Sequence, residues 1–170
     1  LQQCYACSES DELFKLGHVD AIIIGIAYLR RRADNDNLFR VEPVKYLDDM
    51  RMFKFHTVAA HCVQLSDEDI DILAERGVYA ATNPISNAKL GNGFARIPDM
   101  LGKGVKLCIG TDSAGSNNTL NMFSDMNFIC LAHKGNCRSA TAVSARQALK
   151  MATETGAKAL GLDNTGILKE

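Results

Sequence analysis

Short apolar runs rich in β-branched residues alternate along this chain with longer stretches whose apolar positions recur at helical spacing. Residues 21–27 (AIIIGIA), 57–63 (TVAAHCV), 78–81 (VYAA) and 105–109 (VKLCI) read as strands. A helical stretch that includes residues 44–50 lies between the first two. Ser66 opens the next helix as N-cap, with Asp67, Glu68 and Asp69 in the first turn, Ile70, Ile72 and Leu73 behind them, and Gly77 at its end. Pro98 leads a short helix that Gly102-Lys103-Gly104 closes, and helices near 120–133 and 140–153 follow. Strands alternating with helices over short connectors predict an α/β fold of parallel (β/α) units with right-handed crossovers. No linker or low-complexity stretch interrupts the pattern, so residues 1–170 read as a single domain.

The strand over 105–109 stops at Gly110-Thr111-Asp112 and gives way to small polar residues, Ser113-Ala114-Gly115-Ser116-Asn117-Asn118. Strand ends of this kind are where α/β folds bind ligands and place catalytic groups. Asp112 is therefore a candidate site residue. The alternative is that Asp112 and Ser113 only cap the following helix. The strand over 57–63 carries His61-Cys62, and the strand at 78–81 runs into Thr82-Asn83-Pro84-Ile85-Ser86-Asn87. A histidine and an aspartate at neighbouring strand ends suit metal-assisted or general acid/base chemistry. A lone strand histidine is otherwise a satisfied core residue. His18, His56 and His133 fall in loop or helix-end contexts and carry no expected chemistry.

Composition narrows the class of protein. The net charge of -1 and the lack of any basic cluster beyond Arg30-Arg31-Arg32 argue against a nucleic-acid partner. Apolar runs such as 21–27 are too short to span a bilayer, and no leader pattern opens the chain, so a soluble cytoplasmic protein is expected. Of the six cysteines, Cys62 and Cys108 lie in strand-like runs and Cys130 and Cys137 in or beside a helical pattern, where a free thiol acts as a small buried hydrophobe. Cys4-Tyr5-Ala6-Cys7 is a C-x-x-C, but without a second pair it is weak evidence for metal.

Three ordered segments carry a more specific signal: A-A-H-C-V-Q-L-S-D-E-D-I (59–70), N-P-I-S-N-A-K-L-G-N-G-F-A (83–95) and G-T-D-S-A-G-S-N-N-T-L-N-M (110–122). Together they resemble the amidohydrolase superfamily, most closely the methylthioadenosine/S-adenosylhomocysteine deaminases with their chlorohydrolase and cytosine-deaminase-like relatives. M-A-T-E-T-G-A-K-A-L-G-L (151–162) resembles that family's C-terminal helix. The likeness is continuous from about Val44 onward and thins before it to Cys4-Tyr5-Ala6-Cys7-Ser8. It implies the second half of a TIM-type (β/α)8 barrel, a zinc cofactor, and hydrolytic deamination of an adenine-type ring in a small nucleoside. Carried over by motif, Asp112 would end the eighth strand as metal ligand and catalytic residue, and His61 would be the catalytic sixth-strand histidine. Asn83, Ser86 and Asn87 would bind substrate from the loop after strand seven.

Departures from the pattern are as informative. The family's fifth strand carries a metal histidine and a substrate glutamate, yet no histidine occurs between His18 and His56 and no glutamate between Glu12 and Glu42. Gln2 stands at a substrate histidine, Thr82 where a histidine is common, and Ser113 where glycine is usual. The strand-one H-x-H and the small sheet domain have no counterpart in these residues. Two classes of function follow. One is a zinc-dependent amidohydrolase fragment that is inactive as this chain alone. The other is a non-catalytic half-barrel, scaffold or subunit, that completes a barrel with another chain. Since zinc needs three or four ligands, the chain alone is expected to bind it weakly or not at all. Exposed strand edges predict a homodimer or a complementary half-barrel partner.

Overall fold

The computed structural model describes the backbone of residues 21–25, and residues 43–54, 56–162 and 164–168 in full. Cys4, Cys7, Gln2, His18, Arg30-Arg31-Arg32 and residues 26–27 of the first predicted strand lie outside them. Four strands, β1 (Ala21–Gly25), β2 (His56–Ala60), β3 (Tyr79–Thr82) and β4 (Lys106–Ile109), form one sheet in the order β1-β2-β3-β4. Every pairing is parallel, with Ala59 opposite Ala80 and Ala80 opposite Leu107. The predicted strand order and direction hold.

Helices α1 (Pro43–Asp49), α2 (Asp67–Glu75), α3 (Pro84–Lys89) and α4 (Ile97–Gly102) connect the strands, with a 3-10 turn at Met52–Lys54. Beyond β4 come α5 (Ala114–Asn117), α6 (Met122–Cys137), α7 (Ala145–Ala152) and α8 (Glu154–Ala159). The start of α2 is as its sequence demands: Ser66 Oγ accepts from the Asp69 N–H at 3.1 Å, and the Asp69 carboxylate accepts from the Ser66 N–H at 2.8 Å. At its other end Gly77 takes φ +66°. Its N–H reaches the Ala74 carbonyl and the Val78 N–H reaches that of Leu73, which closes the exposed carbonyls before β3.

Side-chain alternation gives the sheet two unlike faces. Ala59, Ala80, Leu107 and Ile109 join the main core with Ile70, Leu73, Ile97, Met100, Ile129 and Met151 from the helices. On the opposite face Val58 and Cys108 pack against Ala159 of α8, with Tyr79 and Ala81 alongside.

Several expectations need correction. Strand β2 ends at Ala60 rather than Val63, because His61 and Cys62 turn into the left-handed region at φ 70° and 50°. The 84–89 segment, expected as loop, is a helix: Pro84 at its first turn supplies a preset φ and lacks only an N–H that has no helical partner there. The helix expected over 140–153 starts only at Ala145, where Ser144 and Gln147 form a reciprocal cap, and it breaks at Thr153 (φ -118°, ψ -85°) before α8. The helix expected to 133 continues to Cys137, so His133 is buried within α6 rather than at its end. Cys137 is exposed rather than buried, since Arg138 turns left-handed just beyond it. His56 is not in a loop but opens β2, where its Nε2 lies 2.8 Å from the Ala159 carbonyl oxygen.

Candidate functional site

Parallel pairing brings the carboxyl ends of β2, β3 and β4 to one rim, and all five predicted site residues lie there. His61 follows β2 directly, and its backbone N–H still donates to the Ala81 carbonyl at 2.7 Å, so the ring leaves the sheet from an anchored backbone. Its Nδ1 sits 2.9 Å from Asn87 Oδ1 and 3.2 Å from Asn83 Nδ2. A protonated Nδ1 donates to Asn87, and an unprotonated one accepts from Asn83. Either tautomer therefore has a partner, and two amides fix the ring's orientation.

Asn83 occupies the position before α3, yet its side chain makes no capping bond. It faces sideways, and a Cβ at Gly110 would meet its Oδ1 at 2.5 Å. Gly110 thus lets the β4 end approach the β3 end, an approach that the Gly110 N–H to Thr82 carbonyl bond of 2.9 Å continues. Asn87 is buried, and its Nδ2 has no hydrogen-bond partner.

Asp112 lies three residues past β4 with φ 62°. One carboxylate oxygen accepts from the Ser86 hydroxyl at 2.6 Å and the other from the Ser113 N–H at 2.8 Å. Partial burial pushes this carboxyl upward. Donors from Ser86, Ser113 and Ser116, together with the nearby His61, outweigh that and hold it below the ordinary carboxylate range. The group is an ionised acceptor at neutral pH. It does not act as a simple cap, and Ser113, although it is the N-cap residue of α5, makes no side-chain cap bond.

The buried thiols contribute no nucleophile. Burial drives the Cys62 thiol far up and raises that of Cys108 to about 11. One described cleft, about 330 Å³, lies not at this rim but near the amino ends of β3 and β4, beside Tyr79, Lys106, Lys150 and Lys158.

Two residues of the rim's support escape a reading for chemistry. Asp125 on α6 is fully buried, and Asn117 at the end of α5 nearly so. Asn117 Nδ2 donates to the Thr111 carbonyl at 2.8 Å and to Asp125 Oδ2 at 2.9 Å. The available signal is positional: Asp125, Ile129 and His133 recur every four residues on the buried face of α6, and a carboxylate there needs partners.

His61 and Asp112 are donors of the kinds zinc accepts. A zinc site takes about four ligands, and among the described residues no group of three or more His, Cys, Asp or Glu side chains could hold one ion. These residues do not by themselves fit the metal. Among the described residues no helix is long and apolar enough to cross a membrane.

Known proteins resemble this chain in sequence and in fold. Residues 17–170 match the Amidohydrolase family. A 5-methylthioadenosine/S-adenosylhomocysteine deaminase of Dictyoglomus thermophilum is 45% identical over 134 residues, 79% of this chain and 32% of the relative. A 5'-deoxyadenosine deaminase of Methanosarcina mazei is 50% identical over 126 residues, 74% of this chain and 29% of the relative. The crystal structure of an adenosine deaminase from Xanthomonas campestris with bound zinc superposes with a TM-score of 0.83 at 31% identity, covering 94% of this chain and 36% of that one. The chain thus spans about a third of the length of the relatives it matches.

Proposed function

Because the chain belongs to the amidohydrolase family, we propose that it is the later half of a (β/α)8 barrel from a zinc-dependent deaminase of adenine-type nucleosides. Residues 1–170 form a single partial domain in this reading. The observation that carries it is the pair of hydrogen-bonded groups at the rim, Asn83, His61 and Asn87 in one and Ser86 and Asp112 in the other. Asp112, ionised and oriented by its serine donors, accepts a proton or a hydrogen bond from a group above the rim. His61, oriented through Nδ1 by two amides, supplies an imidazole beside the reacting region. Asn83, Ser86 and Asn87 set these two groups and border the nucleoside. Relatives named for methylthioadenosine, S-adenosylhomocysteine and deoxyadenosine supply the substrate class.

The ligand deficit makes the chain inactive on its own. Ammonia release from methylthioadenosine or S-adenosylhomocysteine is expected at background, and elemental analysis after dialysis is expected to find zinc well below one per chain. Zinc-dependent turnover that disappears in Asp112→Ala would overturn the inactive reading and restore full catalysis to this chain.

A second reading concerns assembly. Among the described residues β1 and β4 each have a single neighbour in the sheet, and open parallel edges recruit further strands. The half-barrel is completed either by a second copy or by a complementary half. Light scattering at micromolar concentration tests this, and a cooperative monomer would exclude it. Free thiols at Cys62, Cys108 and Cys130 favour a reducing cytoplasm.

A further inference from the structure

Asp125 is 0% exposed, yet it ties together two segments that are far apart in sequence. Oδ2 accepts from Asn117 Nδ2 at 2.9 Å, and the same amide group holds the Thr111 carbonyl at 2.8 Å, immediately before Asp112. Oδ1 accepts from the Ile85 N–H across a longer 3.4 Å, immediately before Ser86. The side chain therefore holds the residue before Ser86 directly and the residue before Asp112 through the Asn117 amide. Both donors are neutral, so no cation accounts for a carboxylate at this depth. A buried carboxylate without one is costly unless its hydrogen bonds define a geometry that an apolar residue could not.

We propose that Asp125 is a positioning residue that sets the spacing between the α3 start and the β4–α5 loop, and through it the contact of Ser86 with Asp112. The inference deepens the functional reading above and rests on it for the importance of Asp112. Lys89 adds a second, exposed tie between the same segments, its Nζ donating to the Gly115 carbonyl at 2.8 Å and to Asn118 Oδ1 at 2.6 Å. Asp125 differs in being dry, which makes its tie stiff.

Native-state hydrogen exchange on the full chain tests the assignment. Informative amides are those of Asn87, bonded to the Asn83 carbonyl, and Asn117, bonded to that of Ser113. The Ile70 amide, bonded to the Ser66 carbonyl on α2, is the reference for opening outside these two segments. In Asp125→Asn the new amide turns an N–H against one of its two donors. Exchange at Asn87 and Asn117 is expected to rise about tenfold relative to Ile70, the equivalent of one lost charge-assisted hydrogen bond. A rise shared equally by Ile70 would show a merely structural role and overturn the proposal, as would no change at either site. Asn117→Ala keeps the test alive if Asp125→Asn does not fold. It cuts only the Thr111 arm, so exchange should rise at Asn118, bonded to the Ala114 carbonyl, and stay unchanged at Asn87. An unchanged Asn118 would overturn the proposal. The readout is independent of activity: an Asp112 variant that leaves deamination of a completed barrel intact would remove the functional reading without touching this one.

Discussion

The helix-covered face of the sheet and its carboxyl rim are built on the same strands, but from unlike side chains. Beneath the sheet, Ile70, Leu73, Ile97, Met100 and Ile129 are wholly buried and pack on Ala59, Ala80 and Leu107. Along the rim, β2, β3 and β4 end in a connected set of polar side chains. The stretch that includes β1 supplies no histidine from residue 19 to 55 and no glutamate from 13 to 41. Core packing asks only for apolar volume at the right period, and many sequences satisfy it. A metal-assisted site asks for particular atoms at particular places, and one lost ligand cannot be averaged over its neighbours. Substitution is therefore tolerated far more widely across the core than along the rim.

Three substitutions probe this contrast, two in the scaffold and one at the rim. Ile70→Ala removes a fully buried side chain from the junction of α2 and the sheet. It should cost about 2–5 kcal/mol in urea unfolding, and a cost under about 1 kcal/mol would mean the scaffold is far looser than its burial implies. Ser66→Ala deletes one half of the reciprocal cap of α2 and should cost about 1 kcal/mol by the same measurement. No measurable loss would show that the acids of the first turn alone hold that helix end.

At the rim, Ser86→Ala should change stability by only about 0.5 kcal/mol near neutral pH, since Asp112 is exposed and water replaces the lost donor. Its signature lies in acid. Asp112 is held below its ordinary value in the folded chain. The stability it contributes is thus present above the unfolded value and is lost as pH falls through the lower folded one. Removing the Ser86 donor raises the folded value and shrinks that contribution, which carbon-13 titration of the Asp112 carboxyl measures directly. An unmoved midpoint would mean that Ser113 and Ser116 suffice to orient the group.

Much of this architecture is written in local pattern. The β-branched runs, the Ser66 cap with Gly77 at the far end, and the halt at Gly110-Thr111-Asp112 each report an element through chemistry confined to a few residues, and the sheet order followed from their alternation. The strand ends marked His61 and Asp112, whereas Asn83, Ser86 and Asn87 came only from the likeness to the amidohydrolase motifs. Where elements end was less legible. Nothing in Thr-Val-Ala-Ala-His-Cys-Val announces that His61 turns left-handed, because its anchor is the Ala81 carbonyl on a neighbouring strand.

What only the tertiary structure decided is which side chains meet. Ser86 reaches Asp112 across 26 positions and His61 reaches Asn87 across 26 more, distances in sequence over which local propensity carries no information. Asp125 is one acid in the first turn of α6, and it is a buried tie because α6 packs its Asp125–Ile129–His133 stripe against the rim's support. Sequence periodicity specifies the faces of helices and strands, since that depends on each residue's near neighbours. The site depends on how those faces are brought together, and parallel pairing of separate strands is what assembled it.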